Sequence, residues 1–297
     1  MIYKSEAARN AVEADYRRVL NDWPQPNRQR KLKTRFGETF IVDKGEMDAP
    51  AVLAFHGSGT NSSVYREASA RWSRHFRVIA VDLLGQPGFS APRRLSFRGD
   101  DHAAWIDDIR QELGLDKVLL AGVSLGGWVA LDYAVRRPNA VQALALTCPG
   151  GIGRQKNFAL TALPYLLAGE WGRRRIRSMV FGPEPASRPP RQQEVFDHLA
   201  LIARSARLQV IRLPVLSDAQ LGALPATLAI MGGRDVLVDS FETRRRLARH
   251  APRATVKFID EAYHAISGQD AEIERFLGSC SGLQFIDPPR AHESAMV

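Results

Sequence analysis

The chain has 297 residues, 45% of them hydrophobic and 25% charged, which is typical of a globular protein with a full hydrophobic core. No apolar run reaches the roughly 20 residues of a membrane span, and the N-terminal residues lack the apolar stretch of a secretory signal, so we expect a cytoplasmic protein without a membrane span. The net charge of +9 comes mostly from scattered arginines, and the two cysteines fit neither a disulfide framework nor a zinc site. These features argue against a nucleic-acid partner and a metal centre.

The first part of the chain predicts a helix followed by an alternation of strands and helices. Apolar residues at helical spacing predict an amphipathic helix over 5–23, and a basic segment and a strand or hairpin at 36–42 follow it. Short, continuously apolar strands and helical patterns then alternate. The strands are predicted at 51–55, 77–81, 117–123 and 143–147, and the helices at 64–74, 101–113 and 126–136. This pattern indicates an α/β fold with a mostly parallel, doubly wound sheet covered on both faces.

Residues 150–222 interrupt this alternation and predict a helical cap insertion. They contain apolar helical pieces at 160–167 and 195–208 and a Pro/Arg-rich stretch between them. The alternation resumes afterwards, with predicted strands at 227–231 and 255–259 and predicted helices at 240–250 and 271–279. The resulting division is an N-terminal helix and linker (1–35), a core in two parts (36–149 and 223–283), the cap (150–222) and a polar tail (284–297).

A nucleophile is predicted where the strand at 117–123 runs into Gly122-Val123-Ser124-Leu125-Gly126 and a helix follows at once. This context predicts a sharp strand-to-helix turn that exposes the Ser124 hydroxyl. The glycines let the turn close and let the helix lie near the strand. The pattern alone also occurs in ordinary strand–helix connections, so the interpretation depends on the partners that a catalytic serine needs.

An acid and a base follow Ser124 in the chain order that such a serine requires. A serine hydroxyl needs a histidine within hydrogen-bond reach, and the histidine needs a carboxylate that orients it. Asp235 follows the strand at 227–231, and His264 follows the strand at 255–259, so both are expected at the same sheet edge as Ser124. Asp239 and Asp260 are rival acids. We interpret Asp239 as a helix N-cap and Asp260 as a possible supporting partner of the histidine.

Two backbone N–H groups are predicted to bind a developing oxyanion. The strand at 51–55 ends in His56-Gly57-Ser58-Gly59, whose glycines let the backbone approach a substrate. We expect the N–H groups of Ser58 and Leu125 to point at the carbonyl oxygen as it gains charge. We interpret His56 as a structural side chain beneath this loop.

These segments resemble the α/β-hydrolase superfamily from about residue 36 to residue 278. The similarity rests on the segments around His56, Ser124, Asp235 and His264, and on Asp82-Leu83-Leu84-Gly85-Gln86-Pro87-Gly88-Phe89-Ser90, in which Gln86 and Pro87 depart from the usual pattern. Within the superfamily the chain is most similar to bacterial serine carboxylesterases with a short N-terminal helix. The resemblance implies hydrolysis of a small-molecule ester through an acyl-enzyme, with Ser124 as nucleophile, His264 as base, Asp235 as orienting acid and no cofactor or metal.

The resemblance leaves several reactions open. Haloalkane dehalogenases and epoxide hydrolases use an aspartate nucleophile, so Ser124 disfavours them, whereas thioesterases, lactonases and C–C bond hydrolases use the same triad. A non-catalytic binding protein with this fold is the alternative from a different class. We expect a small to medium apolar ester, with cap residues lining the pocket, although the same residues would also serve to hold the cap on the core. The pocket candidates are Phe158, Leu163, Trp171 and Met179.

Overall fold

The computed structural model describes residues 2–184, 187–207, 209 and 211–283. The described residues contain an eight-stranded sheet, whose strands in chain order are β1 (Arg28–Thr34), β2 (Gly37–Lys44), β3 (Ala51–Phe55), β4 (Arg77–Val81), β5 (Val118–Val123), β6 (Val141–Thr147), β7 (Ala226–Gly232) and β8 (Ala254–Ile259). Across the sheet they lie in the order β1-β2-β4-β3-β5-β6-β7-β8. The first two pairs in this order are antiparallel and the other five are parallel.

Helices connect the strands and cover the sheet. Those in the described part of the chain are α1 (Glu6–Asn21), α2 (Arg66–Trp72), α3 (Asp101–Glu112), α4 (Leu125–Arg136), α5 (Phe158–Leu166), α6 (Gly169–Phe181), α7 (Pro190–Ser205), α8 (Asp218–Gly222), α9 (Ser240–His250) and α10 (Asp270–Cys280). Among the described residues, no helix combines the length and apolar character needed to cross a membrane.

Both faces of the sheet are buried, because alternate residues of each strand enter separate hydrophobic clusters. Leu53 and Phe55 of β3 face a cluster that includes residues of α3, α4 and α9. Val52 and Ala54 of the same strand face a second cluster, formed with α1, α2 and α10. Every residue of β3 and β4 is buried. The α/β fold class, with a mostly parallel and doubly wound sheet, is therefore confirmed.

The N-terminal helix is an integral part of this structure. Ser5 caps α1 by accepting a hydrogen bond from the Ala8 N–H, as expected for an N-cap serine. Tyr16 is buried on the second cluster and donates its hydroxyl to Asp82, at 3.0 Å. The chain just before the helix is tied to the end of α7: the Lys4 N–H donates to the Ser205 carbonyl at 2.9 Å. The helix therefore joins the sheet to the cap.

The cap consists of α5, α6 and α7, which follow β6. α5 and α6 pack on each other, and α7 packs on α1. Both ends of the predicted cap segment, however, belong to the core: Ile152, Leu216 and Leu221 are buried in the cluster with α3 and α4. The helical insertion is therefore shorter than residues 150–222.

The prediction missed three elements, β1, α6 and the short helix α8, and the first two have strongly charged sequences. Residues 28–34, interpreted as a basic segment, form edge strand β1, whose side chains are mostly exposed and which pairs with β2. Arginine-rich helix α6 was not predicted. A polar edge strand and an exposed helix lack the apolar pattern on which the prediction depended. The predicted tail, 284–297, and residue 208 at the end of a predicted helix lie outside the described residues.

Candidate active site

Ser124 occupies a strained turn between β5 and α4. Its φ of 52° and ψ of −108° are unusual for a residue other than glycine. Three backbone hydrogen bonds hold the turn: the Ser124 N–H donates to the Thr147 carbonyl at 3.0 Å, and the Ser124 carbonyl accepts from Gly150 and Trp128 at 3.1 Å. The side chain remains partly accessible. This geometry is that of an exposed serine on a strand-to-helix elbow.

Close packing around the turn explains two glycines of the motif. A Cβ atom on Gly126 would overlap the carbonyl of Phe55, at the end of β3. A Cβ atom on Gly122 would overlap the backbone of Gly126 itself. Only a residue without a side chain lets the first turn of α4 lie this close to β3 and β5. The glycines thus place the N-terminus of α4 against the loop that follows β3.

Asp235 and His264 form a buried pair at the edge of the sheet where the parallel strands end. Asp235 follows β7 and His264 follows β8, and the carboxylate Oδ2 lies 2.7 Å from the His264 Nδ1. Asp235 is 1% exposed and His264 is 7% exposed. The other carboxylate oxygen, Oδ1, accepts from the Leu237 and Val238 N–H groups at 2.7 and 3.0 Å. The carboxylate is therefore fixed with one oxygen on the loop and one on the histidine.

The charge state of Asp235 suits an orienting acid. Burial alone raises the pKa of this carboxyl, but the hydrogen bonds from His264, Val238 and Leu237 outweigh burial, and the pKa lies below its ordinary value. Asp235 is therefore a carboxylate at neutral pH, and its Oδ2 accepts a hydrogen bond from the His264 Nδ1–H. That leaves the Nε2 of the ring available to accept a proton from a nucleophile.

The rival acids have other positions. Asp239 accepts a hydrogen bond from the Glu242 N–H at 2.9 Å and caps α9. Asp260 is exposed after β8. The structure thus pairs His264 with Asp235. No hydrogen bond joins the Ser124 hydroxyl to His264 among the described residues; in unliganded enzymes such contacts are often long and tighten when substrate binds.

Among the described residues, one group of side chains of metal-binding types lies close together. Its ligand atoms are within 4.8 Å of one another, and its members are Cys148, Asp235 and His264. Zinc binds the thiolate form of cysteine. Burial, together with the Asp235 charge, raises the pKa of the Cys148 thiol well above its ordinary value, which favours the neutral form. Because the His264 Nδ1 is also engaged by Asp235, this group fits an acid–base pair beside a packed thiol better than a metal site.

The loop after β3 lies beside the serine. A Cβ atom on Gly57 would be 3.7 Å from the Ser124 Cβ, so the loop backbone passes close to the nucleophile. The Gly59 N–H donates to the Gln86 side chain at 2.8 Å. Leu125 is the first residue of α4, and its N–H has no acceptor within the helix. The loop that carries Ser58, called the oxyanion loop for its predicted role, thus passes close to Ser124, and Leu125 follows Ser124 directly at the start of α4.

His56 supports this loop from below. It is fully buried, its Nε2 accepts from the Leu83 N–H at 2.9 Å, and its Nδ1 lies 2.8 Å from the Gly57 carbonyl. Burial lowers the pKa of this histidine. A neutral ring with both nitrogens engaged fits the predicted structural role.

A cavity of about 260 Å³ extends from the oxyanion loop to α6 and α7 of the cap, and Ser124 and His264 are not among the residues that line it. The four predicted pocket residues, Phe158, Leu163, Trp171 and Met179, do not line this cavity. Leu163 and Trp171 are 59% and 61% exposed and face solvent. The prediction used apolar character alone, which does not indicate the face that a cap helix turns toward the core. The walls instead include Ser58, Gly59, Val180, Phe181, Phe196 and Leu199.

Sequence reasoning also missed two parts of the site. Gln86, noted only as a departure from the usual motif, lines the cavity and binds the oxyanion loop through Gly59. His198 of α7 is fully buried, with Nε2 2.9 Å from the Asn61 side chain and Nδ1 2.7 Å from Asp15 of α1. His198 therefore links the cap to the N-terminal helix and to the segment after the oxyanion loop. No pattern in the sequence connects residues this far apart.

Comparisons with known proteins agree with this geometry. A family model described as the alpha/beta hydrolase fold matches residues 50–181. Carboxylesterase YbfK and the uncharacterized carboxylesterase nap, both from Bacillus subtilis, are 34% and 33% identical over 134 residues. These matches cover 45% of this chain and 45% of each relative, so the alignment spans about half the length of the curated relatives.

Solved structures extend the similarity over nearly the whole chain. A putative hydrolase from Bacillus subtilis has a TM-score of 0.80 at 22% identity, and carboxylesterase CesB (YbfK) from the same organism has a TM-score of 0.76 at 23% identity. Each match covers 93% of this chain and 99% of the other. At these identities the likeness shows the fold. The chain therefore has the α/β-hydrolase fold, and over part of its length its sequence is similar to bacterial carboxylesterases.

Proposed function

We propose that this protein is a serine carboxylesterase that cleaves small to medium esters through an acyl-enzyme intermediate. The observation that carries the proposal is the buried pair of Asp235 and His264, 2.7 Å apart, at the same sheet edge as the strained turn of Ser124. A partly accessible serine, followed in the chain by a carboxylate and a histidine, supplies the groups for acyl transfer. The carboxylesterase names of the Bacillus subtilis relatives support the same reaction.

In the proposed first step, the Ser124 Oγ attacks the ester carbonyl carbon and the His264 Nε2 takes the hydroxyl proton. The N–H groups of Ser58 and Leu125 stabilise the oxyanion of the tetrahedral intermediate. The protonated His264, whose charge Asp235 stabilises, then gives its proton to the leaving alcohol oxygen. The products of this step are the free alcohol and an acyl group on Ser124.

Water completes the cycle in the second step. His264 takes a proton from a water molecule, whose oxygen attacks the acyl carbon, and the same N–H groups hold the second oxyanion. When this intermediate collapses, the proton returns from His264 to the Ser124 Oγ and the carboxylic acid leaves. All proton transfers in this cycle use protein groups. The apolar walls of the cavity, such as Val180 and Leu199, support an apolar acyl or alcohol part.

Labelling and turnover test this proposal together. Wild-type protein is treated with a fluorophosphonate probe, which reacts with activated serines, and is assayed with 4-nitrophenyl esters of increasing chain length. We expect stoichiometric labelling and hydrolysis that is fastest with short chains. Ser124→Ala should abolish both while leaving the thermal unfolding midpoint near that of the wild type, because it removes one hydroxyl.

A matched control distinguishes Ser124 from other serines of the site. Ser58→Ala keeps the backbone N–H, so we expect it to be labelled and to retain most of its turnover. Turnover of acyl-thioesters, lactones or C–C bond substrates without turnover of simple esters would assign another reaction to the same triad. Absence of labelling in folded wild-type protein would instead indicate a non-catalytic member of the fold family.

A further inference from the structure

We propose that Arg177 and Arg207 form an anion-binding subsite in the cavity, so that the preferred ester carries an ionised acidic group separated from its scissile bond by an apolar spacer. The proposal deepens the proposed function and rests on it for the position of the scissile bond. Arg177 lies in α6, and Arg207 lies two residues after the end of α7. Both line the cavity that contains Ser58.

Arg177 is half-buried and Arg207 is exposed, and the cavity that both of them line has mostly apolar walls. Val180, Phe181, Phe196 and Leu199 line the same cavity, which has a volume of about 260 Å³. Such walls lower the local dielectric constant, so a charge placed between them interacts more strongly with a guanidinium than it would in water. A purely apolar ester would leave both cationic groups beside its chain without a partner.

Neither arginine is paired with a carboxylate among the described residues. The Arg177 Nε is shielded from solvent and has no hydrogen-bond partner there, and the Arg207 Nε donates to the Tyr3 carbonyl at 3.2 Å. The buried arginines Arg66 and Arg77, in contrast, each form an ion pair: Arg66 lies 2.6 Å from Glu194, and Arg77 lies 2.9 Å from Asp43. An unsatisfied guanidinium nitrogen costs desolvation free energy, which an anionic ligand would offset.

The nearest acidic neighbour on α6 does not fill this role. Glu170 lies two turns before Arg177, is exposed, and binds Arg173 at 2.6 Å. The guanidinium groups of Arg177 and Arg207 therefore remain available to the cavity. Arginine binds carboxylates and phosphates with two parallel hydrogen bonds, so either group on a ligand would suit this subsite.

A matched pair of substrates tests the proposal. In 4-nitrophenyl hydrogen adipate, the acyl chain ends in a carboxylate; in 4-nitrophenyl methyl adipate, that carboxylate is a neutral methyl ester. We expect wild-type kcat/KM to be about 10- to 100-fold higher for the anionic ester, the range of a hydrogen bond to a charged group. The preference should decrease as salt is added.

Two variants, Arg177→Gln and Arg207→Gln, keep a polar side chain but lose the charge. Each should lower kcat/KM for the anionic ester at least 10-fold and change kcat/KM for the neutral ester less than 2-fold. Arg177→Lys should recover part of the preference. The control is Arg174→Gln, an exposed arginine of the same helix that does not line the cavity and should have no effect. Thermal unfolding midpoints verify that all variants are folded.

Binding provides a readout that does not need turnover. Calorimetry with monomethyl adipate, carried out on Ser124→Ala protein so that the ester is not hydrolysed, should detect binding, and the added Arg177→Gln or Arg207→Gln substitution should abolish it. The anion subsite would be overturned if the glutamine variants lost kcat/KM equally for both esters, or if the wild type preferred the neutral ester. If neither ester is hydrolysed but arginine-dependent binding persists, the subsite stands and the esterase proposal fails. A 4-nitrophenyl phosphonobutyrate arm distinguishes phosphonate from carboxylate as the favoured anion.

Discussion

Asp235→Asn is expected to inactivate the site through a change in the protonation of His264, with the fold intact. In the native structure Asp235 Oδ1 accepts from two backbone N–H groups, at 2.7 and 3.0 Å, and Oδ2 faces the His264 Nδ1 at 2.7 Å. The amide oxygen of an asparagine must keep the backbone donors, so its NH₂ group faces His264. The Nδ1 can then accept this bond only in the tautomer that carries its proton on Nε2.

The magnitude follows from that tautomer. With its proton on Nε2, His264 cannot take the proton of the Ser124 hydroxyl, and only the oxyanion donors and substrate binding continue to contribute. Wrong-tautomer substitutions of this kind lower kcat by about 10³- to 10⁴-fold, which is about 4–5.5 kcal/mol of activation free energy. We expect KM to change little, since Asp235 is 1% exposed and does not face the substrate.

The assay combines steady-state hydrolysis of a 4-nitrophenyl ester with the rate of fluorophosphonate labelling, both of which depend on activation of Ser124. Asp239→Asn is the control, because asparagine caps a helix as well as aspartate and Asp239 caps α9. We expect it to keep near wild-type rates. A folded Asp235→Asn variant with more than one-tenth of the wild-type kcat, or a loss of rate in Asp260→Asn, would refute this assignment of the acid.

Two further predictions concern stability. Gly126→Ala should lower the free energy of unfolding by about 1–3 kcal/mol or more, because the new Cβ overlaps the Phe55 carbonyl. The control is Gly222→Ala, which should leave the free energy of unfolding unchanged because the nearest atom to the new Cβ is 3.4 Å away. Urea unfolding compares the two variants. The second prediction concerns buried histidines: burial lowers the pKa of His56 and His198, and it lowers the pKa of His102 to about 4. These side chains therefore stay neutral in the folded chain, whereas in the unfolded chain they gain protons near pH 6.5. Because the unfolded state then binds more protons, the free energy of unfolding should fall as the pH decreases from about 7 toward 5, by up to about 1.4 kcal/mol per pH unit for each histidine. Equal urea midpoints of unfolding at pH 7.5 and pH 5.5 would contradict this prediction.

Local sequence was sufficient to predict the framework of the site. Ser124, Asp235 and His264 lie one, three and five residues after the ends of β5, β7 and β8. Because parallel strands end at one edge of a sheet, strand prediction alone places these residues at the same edge. The turn at Ser124 was predictable for the same reason, since its glycines and the strand before it are contiguous. The strands and turns that a local sequence pattern predicts are therefore the ones for which prediction and structure agree.

The cavity walls depend on packing that no local pattern encodes. Trp171 and Val180 lie on the same helix, yet Trp171 faces solvent and Val180 lines the cavity. Which face of α6 turns inward depends on how it packs against α5 and the core. The contacts of His198 with Asp15 and Asn61 span 183 and 137 residues. Such contacts form only when segments far apart in the chain have packed together.

The tie between the start of the chain and the end of α7 has a consequence for the order of folding during synthesis. The Lys4 N–H binds the Ser205 carbonyl, and the Arg207 N–H binds the Ile2 carbonyl at 2.8 Å. At about 5–20 residues per second, these partners leave the ribosome roughly 10–40 s apart. Arg207 and Ile2 both line the cavity. The cavity therefore closes only after the sheet strands through β6 have been synthesised.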